Sequence, residues 1–102
     1  MARGKTASQA AHASVEAMDK TNSVHSDWVR EWKEKGMEKV VLKVSSFREL
    51  MDVFQRAKKA LPTILIRDAG RTQIKQGSIT CIAIGPAPEK EIDEFTGNLK
   101  LL

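Results

Sequence analysis

The sequence predicts an α/β domain in which helices cover both faces of a small β-sheet. Three apolar runs of strand length, at 40–44, 63–67 and 79–84, alternate with segments of helical periodicity. The stretch 40–67 reads strand, helix, strand, the pattern of a βαβ unit, so its two strands are expected to run parallel with a right-handed crossover. The two later strands are apolar on both sides, which requires cover on both faces of the sheet. A chain of 102 residues makes one domain, 1–102, with room for a modest core.

Residues 4–20 form the first predicted helix, since alanine is abundant and proline is absent. Ala7, Ala10, Ala11, Ser14, Val15 and Met18 make a small-residue stripe suited to close approach to a sheet. Lys5, Gln9 and His12, spaced by four and three, share another face. A cation, an amide and an imidazole on one face suit phosphate binding and proton transfer; the ordinary alternative is a solvated polar face. A second helix is expected over 26–35, anchored by Trp28 and Trp32, with Gly36 placed for a left-handed C-cap. Those tryptophans could stack on bases, although core packing is the usual role of aromatics at helical spacing.

After the strand at 40–44, Ser46-Phe47-Arg48-Glu49 reads as a capping box. The helix it opens carries Phe47, Leu50, Met51, Phe54 and Ala57 on one face and ends at Leu61-Pro62. The strand at 63–67 follows. It leads into Arg67-Asp68-Ala69-Gly70-Arg71-Thr72-Gln73, an acid, a glycine, two arginines and a hydroxyl at the end of a buried strand. Loops at strand ends are where a rigid sheet presents chemistry to solvent. The third strand at 79–84 is broken by Gly85-Pro86-Ala87-Pro88, a short helix runs over 89–95 to Gly97, and Leu99, Leu101 and Leu102 are expected to dock the tail. Three strands make a thin sheet for this much helix, so a further strand or a partner is expected to complete it.

Composition narrows the function classes. The chain is 41% hydrophobic and 29% charged, as soluble globular proteins are. No apolar run approaches the roughly 18 residues of a membrane span, and no signal-peptide pattern opens the chain. A cytoplasmic location without membrane contact is the expectation. Cys81 is the single cysteine and lies in an apolar run, so a buried reduced thiol is expected. The net charge of +4 permits a polyanionic partner. His12 and His25 have no metal-ligand spacing, and no CxxC, HExxH, GxGxxG or P-loop pattern occurs, so neither metal nor cofactor is expected.

Several motifs together resemble one family. Gly4-Lys5-Thr6-Ala7-Ser8-Gln9-Ala10-Ala11-His12-Ala13 is similar to the GK-x-A-x-Q-x-AHA signature of the archaeal and eukaryotic type of peptidyl-tRNA hydrolase, the Pth2 family. The segment 36–44 is similar to its G-Q-x-KVVVKV strand. Ile66-Arg67-Asp68-Ala69-Gly70-Arg71-Thr72-Gln73 resembles I-x-DAG-x-T-Q, and Gly77-Ser78-Ile79-Thr80 resembles G-[ST]-x-T. Segments 83–88 and 92–101 match the closing motifs, so the resemblance runs the length of the chain in order. It departs at Met37, where the family has glutamine, and at Ala60, where a glycine is usual. Family members also open with a strand of the type V-x-V-V-R-x-D-L. This sequence starts inside the next segment, at Met1-Ala2-Arg3-Gly4-Lys5, and is expected to be short by that first strand.

The resemblance implies a mixed β-sheet with helices on both sides, a three-layer α/β/α arrangement, and no metal. It implies hydrolysis of the ester between a peptide and the 3′ end of tRNA, which recycles tRNA from prematurely released chains. The alternative is a truncated, non-catalytic homologue that binds tRNA or a protein partner. The implied catalytic positions are Lys5, His12, Asp68, Thr72 and Thr80, with Gln9 beside them. Arg3, Arg67 and Arg71, with Lys75, flank the motifs and could hold the tRNA backbone. Asp68 and His12 are both candidate proton acceptors, and Asp68 could instead orient His12 or Lys5. A homodimer is a further expectation from the family.

Overall fold

The computed structural model describes residues 1–68 and 77–102. Its first helix, α1 (Arg3–Val24), is the long element against which the site is built. It buries Gln9, Ala13, Ala17 and Thr21, one residue per turn. The buried line is therefore rotated from the expected stripe: Ala7, Ala11 and Val15 face solvent, and only Ala10, Ser14 and Met18 are half-buried. Gln9, a polar residue, lies on this line, and its amide finds a partner in Thr80.

The next helix, α2 (Ser26–Glu34), packs on α1 and buries Val29. Trp28 and Trp32 are half-buried and do not form the expected core anchor. Trp28 stacks on His25 with ring centroids 3.6 Å apart, and Trp32 donates its indole N–H to the Glu38 carbonyl at 2.8 Å. Gly36 has φ +101°, the left-handed conformation expected of it.

The third helix, α3 (Phe47–Lys58), begins at Ser46, whose hydroxyl accepts the Glu49 N–H at 3.1 Å. Glu49 returns a carboxylate oxygen to the Ser45 N–H at 2.7 Å. Such a cap contributes about 1 kcal/mol. Val53 and Ala57 form its buried line, and Phe47, expected on that face, is exposed.

Among the described residues, four strands make two separate ladders, both antiparallel. β1 (Leu42–Lys43) pairs with β4 (Lys100–Leu101), and β2 (Thr63–Arg67) pairs with β3 (Ile79–Ile84). α4 (Glu89–Thr96) links β3 to β4. The expected parallel pairing of the strands flanking α3 does not occur among the described residues. Each takes a later strand as its neighbour: β2 the strand that follows it, β1 the C-terminal tail. Leu101 and Leu102, expected to be docked, are exposed. The α/β class holds. α1 and α3 each pack on β2 and β3, and the core of Ala13, Ala17, Val53, Ala57, Leu61 and Ile66 lies among these elements.

The β2–β3 ladder carries one irregularity. Ile66 pairs with Cys81, but Arg67 pairs with Ile79, so Thr80 is an extra residue on β3. Such a bulge breaks the alternation of side chains and re-aims them, often beside a functional site.

Candidate active site

Lys5 enters from the first turn of α1, and Gln9 follows one turn later on the same line. Asp68 lies at the end of β2, two residues after the buried Ile66, so strand alternation sends both to the same interior face. Thr80 arrives from the bulge of β3. The helix and the ladder meet at these four side chains.

The Lys5 ammonium donates to Asp68 Oδ1 in an ion pair between elements far apart in sequence. The Asp68 side chain has 0% exposure and Lys5 17%. The backbone of Asp68 is held as firmly. Its N–H donates to the Ser78 carbonyl at 2.8 Å, and its carbonyl accepts the Gly77 N–H at 3.0 Å.

Beside the ion pair, Gln9 Nε2 donates to Thr80 Oγ1 at 3.2 Å. A hydroxyl has one proton and two lone pairs. With Gln9 donating to it, Thr80 keeps its proton for an acceptor, and the Ile66 carbonyl takes it weakly at 3.4 Å. Cys81 also faces Gln9, its sulfur 3.8 Å from the Gln9 carbonyl oxygen. Two consecutive strand residues thus reach one helix residue, which regular pleating forbids and the bulge allows. Burial pushes the Cys81 thiol up, and a hydrogen bond with Thr80 draws it partly back. The thiol therefore stays protonated at neutral pH, unsuited to nucleophilic attack.

Of the other expected site residues, those that the structure describes fall elsewhere. His12 is on the solvent side of α1, with its side chain 57% exposed and Nε2 3.2 Å from Glu16 Oε1. It does not join the Lys5–Asp68 cluster. Arg3 is exposed and lines a groove with Thr6, Ala7, Ala10, Val41 and Leu101, which none of the four clustered residues lines. Arg67 is exposed and donates from Nη1 to the Gly77 carbonyl at 2.9 Å. Thr72, Arg71 and Lys75 lie outside the described residues. Among the described residues, no three of His, Cys, Asp and Glu converge to hold a metal ion.

Sequence reasoning gave Gln9 a place beside the substrate and missed its contact with Thr80. An amide one and two turns ahead of Ala13 and Ala17 was the available signal that it faces inward.

Chemically, the cluster offers a cation, a carboxylate and an oriented hydroxyl within a partly water-excluded corner. Such a set can stabilise negative charge that develops on an oxygen and can order a water beside it.

Comparison with known proteins supplies the rest. The family described as Peptidyl-tRNA hydrolase PTH2 matches residues 1–102. The chain is 47% identical to a peptidyl-tRNA hydrolase of Sulfurisphaera tokodaii, across 100% of the chain and 88% of that protein. It is 51% identical to one of Halobacterium salinarum, across 99% of the chain and 88% of that protein. It is 46% identical to one of Thermococcus onnurineus, across 100% of the chain and 87% of that protein.

Proposed function

This chain belongs to the peptidyl-tRNA hydrolase PTH2 family, and from that membership we propose that it hydrolyses the ester joining a peptide to the 3′ end of tRNA. The observation that carries the site assignment is the Lys5–Asp68 ion pair beside the Gln9–Thr80 hydrogen bond. The substrate is peptidyl-tRNA, and the work is the recycling of tRNA from prematurely released chains. The reading of a non-catalytic homologue is not favoured, because the relatives named above are all hydrolases.

Ester hydrolysis needs a nucleophilic water, support for the oxyanion and a hold on the tRNA end. In this reading Lys5 stabilises the negative charge of the tetrahedral oxyanion, and Asp68 holds the ammonium in place. Thr80, with one lone pair engaged by Gln9, turns its proton from the weak Ile66 acceptor to the substrate or the attacking water. Asp68, the base inside the cluster, is the proton acceptor in this reading. His12, on the outer face, suits contact with the tRNA backbone, as do Arg3 and Arg71. Among the described residues no helix is long and apolar enough to cross a membrane, and a cytoplasmic location is part of the same proposal. The exposed Val40, Val41, Leu101 and Leu102 support a homodimer, which light scattering would test.

The test is release of free tRNA from an N-acetylated aminoacyl-tRNA by the wild type and by D68N. Cleavage by the wild type and its loss in a folded D68N are expected. A folded D68N with the wild-type rate would overturn the site, and an inactive wild type would overturn the function.

A further inference from the structure

Arg67 is the β2 residue that faces the bulge. It pairs with Ile79, while the residue before it pairs with Cys81 and leaves Thr80 as the extra residue. Its side chain is on the surface, yet its guanidinium turns back along the hairpin. Nη1 donates to the Gly77 carbonyl at 2.9 Å. Gly77 also donates its own N–H to the Asp68 carbonyl at 3.0 Å, and the Asp68 N–H donates to the Ser78 carbonyl at 2.8 Å. Gly77 has φ +86°, a conformation that glycine adopts without steric cost. Gly77 lies three residues before the bulge residue Thr80, and Arg67 ties its carbonyl down.

We propose that Arg67 is a positioning residue for the hydrolysis described above. By holding Gly77, it fixes the bulged end of β3. That end in turn keeps Asp68 against Lys5 and Thr80 against Gln9. The inference rests on the hydrolase reading for its kinetic part only; the hydrogen-bonded neck is independent of it. It departs from the expectation that Arg67 grips the tRNA backbone. Arginine has further N–H donors, so the test must separate clamp from phosphate contact.

The experiment uses the full chain with R67M, which keeps the stem and loses the donor, and R67K, which keeps a donor. Steady-state cleavage of N-acetylated aminoacyl-tRNA is measured across a salt series, and amide exchange is read at Asp68 and Gly77. A surface hydrogen bond of this kind corresponds to a loss of about three- to tenfold. R67M is expected to lower kcat by that factor with KM within about twofold. The salt dependence should stay that of the wild type, and the two amides should exchange faster. R67K should recover most of kcat. The proposal is overturned if R67M leaves kcat unchanged, raises KM and lowers the salt slope by about 0.7–0.9, the mark of one lost phosphate contact. It is also overturned if R67M matches the wild type in both kcat and exchange. A wild type that does not cleave the substrate, with faster exchange in R67M, would remove the hydrolase reading and still support the clamp.

Discussion

Among the described residues, α1 takes part in two acid–base pairs that differ in surroundings. Lys5 reaches across to Asp68 at the end of β2, where the carboxylate is fully buried. His12 pairs with Glu16 one turn along the same helix, and both side chains are about half exposed. The first pair joins distant elements, and the second is local. Charges removed from water interact strongly and hold each other in one geometry, whereas an exposed pair is screened and contributes a few tenths of a kcal/mol. The spacing of Lys5, Gln9 and His12 promised one shared face. The sheet edge covers only the first two of them.

The largest effect that would sharpen this contrast is expected from D68N. Loss of the carboxylate should lower kcat by about a hundredfold or more, the usual scale for a positioned acid or base. Single-turnover cleavage measures it, and a smaller loss would weaken the primacy of the inner pair. Next comes K5M. Removing one partner of a buried ion pair costs on the order of 3 kcal/mol, the low end of the range here because Lys5 keeps some exposure. Urea unfolding should show that cost, and the double variant K5M/D68N should be less destabilised than the two losses summed. T80V follows, with about a tenfold fall in kcat and little change in KM, since it removes the hydroxyl that Gln9 orients.

H12A is the direct attempt to break the comparison. If the outer pair carries no chemistry, activity stays within about threefold and stability within about 0.5 kcal/mol. A hundredfold loss in a folded H12A would move the proton acceptor from Asp68 to His12. The smallest effect concerns Cys81, whose thiol burial pushes up. As pH rises, the unfolded thiol ionises first, near pH 8.5, while the folded thiol keeps its proton. This contribution to stability is therefore complete below that pH and declines above it. C81A should flatten the alkaline fall in the unfolding midpoint.

The legible parts of this protein were those set by short-range patterning. β2 and β3 begin and end where the apolar runs do, because turn-forming residues bound them. The start of α3 was readable from Ser46 and Glu49, since capping is local chemistry. The buried line of α1 was harder. Composition favoured the alanines, and the placement of Gln9 depended on a partner more than 70 residues away. The tail leucines looked like docking residues, but Leu101 pairs by its backbone with Leu42 and leaves its side chain in water.

The sequence by itself determined the residue types of the proposed site and the order of the elements that carry them. Lys5 and Gln9 lie one turn apart on a helix, and Asp68 follows a buried strand, because periodicity and alternation are local properties of the chain. Only the tertiary structure decided which of these residues meet. The bulge at Thr80 shifts β3 by one residue relative to β2, and a shift of one residue turns a side chain from one face to the other. That shift brings Thr80 to Gln9, and the approach of α1 to the ladder places Lys5 on Asp68 while leaving His12 in solvent.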